Sequence, residues 1–114
     1  MNKGDKAREK YQYILRVPEW RGVLHAQALQ QIGESYMAEN AYPEAHGFFE
    51  RTFLGYPHLP KWSARAYLSD AEALIGMGAK QDAMNTLKEA INELPDNAPE
   101  DIVKAIKAKL KELQ

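Results

Sequence analysis

The amino-acid sequence predicts an all-α protein built of stacked antiparallel helix hairpins, about two and a half of them, with one further helix capping the C-terminal end. Three observations lead there. Gly33, Tyr36, Ala45, Phe49 and Pro57 are separated by 3, 9, 4 and 8 positions, and Ala71, Leu74, Ala83, Leu87 and Pro95 repeat those spacings 38 residues later. The small and apolar residues recur at helical rather than strand spacing, and no segment alternates with period two long enough to make a strand. Proline, glycine and asparagine punctuate the apolar stripes where hairpins would turn.

The first helix is expected from about Asp5 to Arg16, with Ala7, Tyr11 and Ile14 along one face and Pro18 ending it. The second runs near Gly22 to Glu39 and aligns Leu24, Ala28, Leu29, Ile32 and Tyr36. Asn40 supplies a left-handed stop, and Pro43 suits the first turn of a third helix carrying Ala45, Phe49, Thr52 and Phe53. Two prolines stiffen the linker Pro57-His58-Leu59-Pro60. A fourth helix then extends to about Met77 with Trp62, Tyr67, Ala71, Leu74 and Ile75 as its apolar positions, closed by Gly78. The fifth, about Lys80 to Glu93, turns Ala83, Leu87, Ala90, Ile91 and Leu94 one way. A sixth opens at Asn97-Ala98-Pro99-Glu100, where Asn97 caps and Glu100 reaches back, and its stripe is Ile102, Ile106, Leu110 and Leu113. Lys104, Lys107, Lys109 and Lys111 give it a solvated outer face, as end units of a stack require. The expected organisation is one domain over 1–114, with a half-repeat helix at 5–17, hairpins at 22–57 and 60–95, and the cap at 98–113.

Small residues at Gly33, Ala45, Ala71 and Ala83 let helix axes approach, and Tyr36, Phe49, Leu74 and Leu87 fill the space beside them. This pattern resembles the tetratricopeptide repeat family. The residues carrying the resemblance are Gly33-x-x-Tyr36, Ala45-x-x-x-Phe49 and Pro57, then Ala71-x-x-Leu74, Gly78, Ala83-x-x-x-Leu87, Ala90 and Pro95. It covers about residues 23–97 and, faintly, the first helix, where Ala7 and Tyr11 precede Ala45 and Phe49 by 38. The period exceeds the family's usual length, and Asp70 stands where the family carries leucine. The resemblance implies a right-handed α-solenoid whose concave groove is lined by the leading helix of each unit. It places Gln27, Gln30, Gln31, Glu34 and Met37 from the second helix there, beside Arg65, Leu68, Ser69, Glu72 and Ile75 from the fourth. That register sets Glu34 next to Glu72 as an acidic spot for a lysine or arginine of a bound peptide; two solvated glutamates are the simpler reading. A subgroup that grips acidic peptide termini does so with several basic groove residues, whereas only Arg65 is basic here. The Tyr-Pro-x-x-Pro linker resembles those of bacterial envelope-associated members.

Composition narrows the function classes. The 114 residues are 45% apolar and 27% charged, ordinary for a globular domain, with a net charge of −1 that argues against nucleic-acid binding. No apolar run approaches the roughly 20 residues that span a bilayer. The opening Met1-Asn2-Lys3-Gly4-Asp5-Lys6 is not a signal peptide, so a cytoplasmic, soluble chain is expected as written. There is no cysteine for disulfide or thiol chemistry. His25, His46 and His58 share no metal-ligand spacing, although His46 and Glu50 lie four apart on one helix. Ser35, Ser63 and Ser69 have no partnered base, and no glycine-rich phosphate loop exists. Trp20 and Trp62, near hairpin junctions, are expected as core plugs. The last helix, with a net charge of about +1, is too weakly basic for a polybasic membrane surface. The expectation is therefore a non-enzymatic module, without cofactor or metal, that binds a peptide or protein partner in its groove. The alternative is a structural self-assembly unit, a homo-oligomer or engineered repeat scaffold stacking through its terminal helices.

Overall fold

A computed structural model describes residues 3–114 as six helices: α1 (Lys3–Leu15), α2 (Val23–Ala38), α3 (Tyr42–Gly55), α4 (Pro60–Gly76), α5 (Lys80–Glu93) and α6 (Glu100–Leu113). A 3₁₀ turn at Pro18–Trp20, not expected from the sequence, joins α1 to α2, and there is no strand among the described residues. Met1 and Asn2, part of the segment read for a signal peptide, lie outside the described residues. Each helix packs on the next in the chain, and α4 also touches α2 and α6.

Why the helices stop where they do is visible in the turns. Asn40 adopts φ 58° and Gly78 φ 76°, the left-handed conformation that ends a helix. The Ala41 amide donates to the Tyr36 carbonyl at 2.9 Å and the Asn40 amide to Met37 at 3.0 Å. Thirty-eight residues later Ala79 donates to Leu74 at 2.8 Å and Gly78 to Ile75 at 2.9 Å. Each set is a Schellman motif, which satisfies carbonyls the helix end would otherwise leave open. Ala45 and Ala83 then donate to Ala41 and Ala79, both at 3.0 Å, and open α3 and α5. The 38-residue period is thus written in the backbone as well as in the side chains.

These turns bring small residues of one helix against large ones of the next. Ala45, Phe49, Ala71, Ala83 and Leu87 are fully buried, and the Phe53 and Tyr67 rings stack at 4.1 Å between α3 and α4. A Cβ on Gly33 would fall against three atoms of the enclosed Phe49 ring. Ile106 anchors α6, with Ile102, Leu110 and Leu113 packed beside it.

Several expectations need correction. Leu24, Ile75 and Ile91, assigned to apolar stripes, are exposed; Leu24 sits in the first turn of α2, next to exposed Trp20 and Val23. Trp62 is buried as expected, but Trp20, in the 3₁₀ turn, is 38% exposed, with its ring set edge-on to Tyr13. Asn97 does not cap α6. Its segment is a turn closed by the Ala98 amide on Pro95, so the helix starts at Glu100 with Pro99 in the cap position and no side-chain cap bond. In α1 the buried side chain is Arg8, while Ala7, Tyr11 and Ile14 are only half-buried. Arg8 bonds Asp5 at 2.6 Å, Ser35 at 3.2 Å and Glu39, and lies 4.1 Å above the Tyr36 ring. A guanidinium supplies enough donors to satisfy all three acceptors while its flat face covers the tyrosine.

Gly33→Ala is expected to destabilise by about 1–2 kcal/mol, overpacking at Phe49 outweighing the gain in helix propensity. Gly47→Ala, in α3 where an added Cβ meets open space, is expected to stabilise by about 0.5–1 kcal/mol. Urea unfolding of both variants reads the opposite signs. Arg8→Ala is expected to release α1: hydrogen exchange across residues 3–15 should rise toward the unprotected rate while α2–α5 stay protected.

Candidate functional site

The surface shared by α2 and α4 is organised by a short polar chain. Gln30, fully buried on α2, donates through Nε2 to Ser69 Oγ on α4 at 3.1 Å and to Glu34 Oε1 at 3.3 Å. Arg65 on α4 donates to the same Glu34 oxygen at 3.1 Å, and its guanidinium lies 5.1 Å from the centre of the Trp62 ring. The chain therefore ties two helices that are not consecutive. Gln30 Oε1 has no hydrogen-bond partner, and an orphan acceptor in a closed site costs about 1–3 kcal/mol. The Glu34–Arg65 pair is roughly one-third exposed on each side, so it orients the helices more than it stabilises them.

Of the residues expected to line a groove, this cluster unites Gln30, Glu34, Arg65 and Ser69. Gln27 and Glu72 are exposed and Ile75 is 36% exposed, Gln31 is half-buried, and Met37 and Leu68 pack against the core. Arg65 holds Glu34, and Glu72 has no ion pair among the described residues. Gln30 meets Ser69, 39 positions on, close to the 38-residue spacing, whereas the long Arg65 side chain reaches Glu34 at a separation of 31.

A second polar cluster lies between α3 and α4. Asp70 is fully buried, and its Oδ1 is 2.5 Å from His46 Nδ1. His46 Nε2 lies 3.3 Å from Glu50 Oε1, one turn along α3. Asp70 Oδ2 has no partner. Burial pushes the Asp70 carboxyl up to about 6; the His46 bond and charge pull it down, while Glu50 and Glu89 push it further up. The sequence showed the parts of this cluster but not their meeting across α3 and α4. The signals were an acidic residue at an apolar position and the i, i+4 spacing of His46 and Glu50. Among the described residues no group of three or more histidine, cysteine or carboxylate side chains converges on a metal-sized point. No helix is long and apolar enough to cross a membrane among the described residues. Compared with known proteins, the chain matches no family model and no curated sequence.

The Asp70 carboxyl, raised from 3.8 to about 6 in the folded state, makes the native chain bind more protons than the unfolded one between those values. Its contribution is thus most favourable below the unfolded value and is lost as pH rises through the folded one. Asp70→Asn, which keeps an acceptor for His46 but cannot ionise, should gain stability relative to the parent by about 2–3 kcal/mol between pH 4 and 7. Urea unfolding of both proteins across that range tests it; a difference that stays flat with pH contradicts the assignment.

Proposed function

We propose that this chain is a non-catalytic interaction module: a tetratricopeptide-like, right-handed stack of hairpins that receives a peptide or protein partner along α2 and α4. The observation that carries the reading is the Gln30–Glu34–Arg65–Ser69 chain, which locks the two leading helices side by side and so presets a surface between them. Preset surfaces bind with less ordering penalty than mobile ones. The repeated Schellman turns support the hairpin stack, because two units closed by the same turn present their leading helices in the same way. Gln27, Glu72 and Ile75 are the groups free to meet a partner, with Arg65 and Ser69 partly accessible beside them. Buried Gln30 acts by positioning and does not touch the partner. The reading assigns no reaction and no cofactor.

One observation favours self-assembly as a second reading. Tyr13 is 56% exposed, Trp20 38%, Val23 52% and Leu24 46%, an unusual density of large apolar side chains at the α1–α2 end.

Peptides selected from a random display library on the full chain test the first reading. Their affinity is expected to fall about tenfold or more for a Gln27→Ala, Arg65→Ala, Glu72→Ala triple variant. Selected peptides that bind this variant as tightly as the parent refute the groove. Light scattering over a wide concentration range tests the second reading: a mass that stays monomeric excludes self-assembly, and a dimer abolished by Trp20→Ser and Leu24→Ser supports it.

A further inference from the structure

Helix α1 is fastened differently from the other five. It packs on α2 and on the 3₁₀ turn and on no other element among the described residues, so the packing of α3–α6 does not depend on it. Its buried side chain is a cation, Arg8, which reaches Glu39, Ser35 and its own Asp5. Both carboxylates are more than one-third open to solvent. Water and salt therefore reach this fastening and weaken it, as they would not weaken an apolar contact.

The surface that α1 covers is a defined seat. His25, Ala28, Ile32, Ser35 and Glu39 follow one another along α2 at spacings of 3, 4, 3 and 4, one continuous stripe. At one end Arg8 binds Ser35 and Glu39; at the other His25 Nε2 donates to the carbonyl of Val17, just after α1, at 2.9 Å. Ala28 and Ile32 lie between these fastenings and are enclosed. The connection between the two helices, residues 16–22, has the features of a hinge. Gly22 holds φ 98° and ψ −129°, a conformation that suits glycine, and an added Cβ there meets open space. Tyr13, Trp20, Val23 and Leu24 flank the hinge and stay exposed while α1 rests on its own chain.

We propose that α1 exchanges between two copies of this chain, each copy's α1 occupying the seat on the other's α2. The seat itself names the occupant, because the contacts of Arg8 with Ser35 and Glu39, and of Val17 with His25, are reproduced when α1 comes from a second copy. Those contacts cancel between the closed monomer and the exchanged pair. The balance then rests on the hinge, where two connections running past each other cover the exposed side chains beside it. This exchange is one form of the self-assembly read from the apolar α1–α2 end, and it rests on that reading. Helix α1 does not touch α4, so the α2–α4 surface is the same in both states.

The test pairs two full-length variants of reversed charge, Arg8→Glu and Glu39→Arg. Alone, each sets like charges against each other in its own seat. Mixed, they restore an opposite-charge pair at both seats, provided that α1 crosses between copies. Expected are monomers whose residues 3–15 exchange amide hydrogens about tenfold faster than in the parent, with α2–α5 still protected. On equimolar mixing, light scattering should show a heterodimer, with the protection of residues 3–15 restored. Trp20→Ser with Leu24→Ser in both partners should weaken that heterodimer about tenfold or more. A mixture that stays monomeric with α1 unprotected overturns the exchange. The parent chain supplies a second measurement that needs no variant: isotope-filtered NMR on concentrated mixtures of labelled and unlabelled protein should show α1 of one copy against the Tyr36 ring of the other. A parent dimer without that contact overturns the exchange and leaves self-assembly standing, whereas a parent that stays monomeric at every concentration overturns both.

Discussion

Two tight helix turns set the geometry on which the rest of this structure rests. At Asn40 and at Gly78 the chain passes through the left-handed region and closes the same pair of backbone hydrogen bonds. A turn this short leaves the following helix little freedom of entry, so α3 must fold back along α2, and α5 along α4. That return puts Phe49 against Gly33, and buries Leu87 and Ala71 together in one core cluster. Glycine or alanine at the contact is then a requirement of axis separation rather than a preference of composition.

Close approach has a consequence for the core. Much of what the helices bury is alanine: Ala26, Ala28, Ala45, Ala64, Ala66, Ala71, Ala73, Ala83 and Ala90 are all essentially enclosed. Alanine brings axes together but contributes little apolar area per residue. Orientation among the first four helices is instead specified by buried polar links. Arg8 ties α1 to α2, Gln30 ties α2 to α4, and His46–Asp70 ties α3 to α4. Polar links of this kind are directional, so they select one arrangement among several that an alanine-rich interface would tolerate. They also leave residual strain in the form of two orphan acceptors, Gln30 Oε1 and Asp70 Oδ2.

The helices were legible because their signals are local. Lys80–Glu93 falls where its stripe and flanking Gly78 place it, and Asn40 and Gly78 act as left-handed stops because those residue types tolerate positive φ. The errors share a cause: they depend on what lies opposite. Leu24, Ile75 and Ile91 fit a helical stripe yet find no neighbour to cover them. Arg8 looks like a surface residue until Glu39 and Tyr36 close over it. The ion pair of Glu34 with Arg65 was not legible, because it depends on how far one long side chain reaches across two helices.

The sequence by itself determined the number of α-helices, the two tight turns at Asn40 and Gly78 and the small-against-large pairing between neighbouring helices, because those follow from spacing along a single chain. Only tertiary structure decided which polar groups meet between elements. The Glu34–Arg65 pair and the His46–Asp70–Glu50 cluster join residues 31 and 24 positions apart, on separate helices. A contact of that kind depends on helix offset and rotation, which small alanine interfaces leave open and which the polar links themselves then settle. Helical periodicity along the chain carries no record of either.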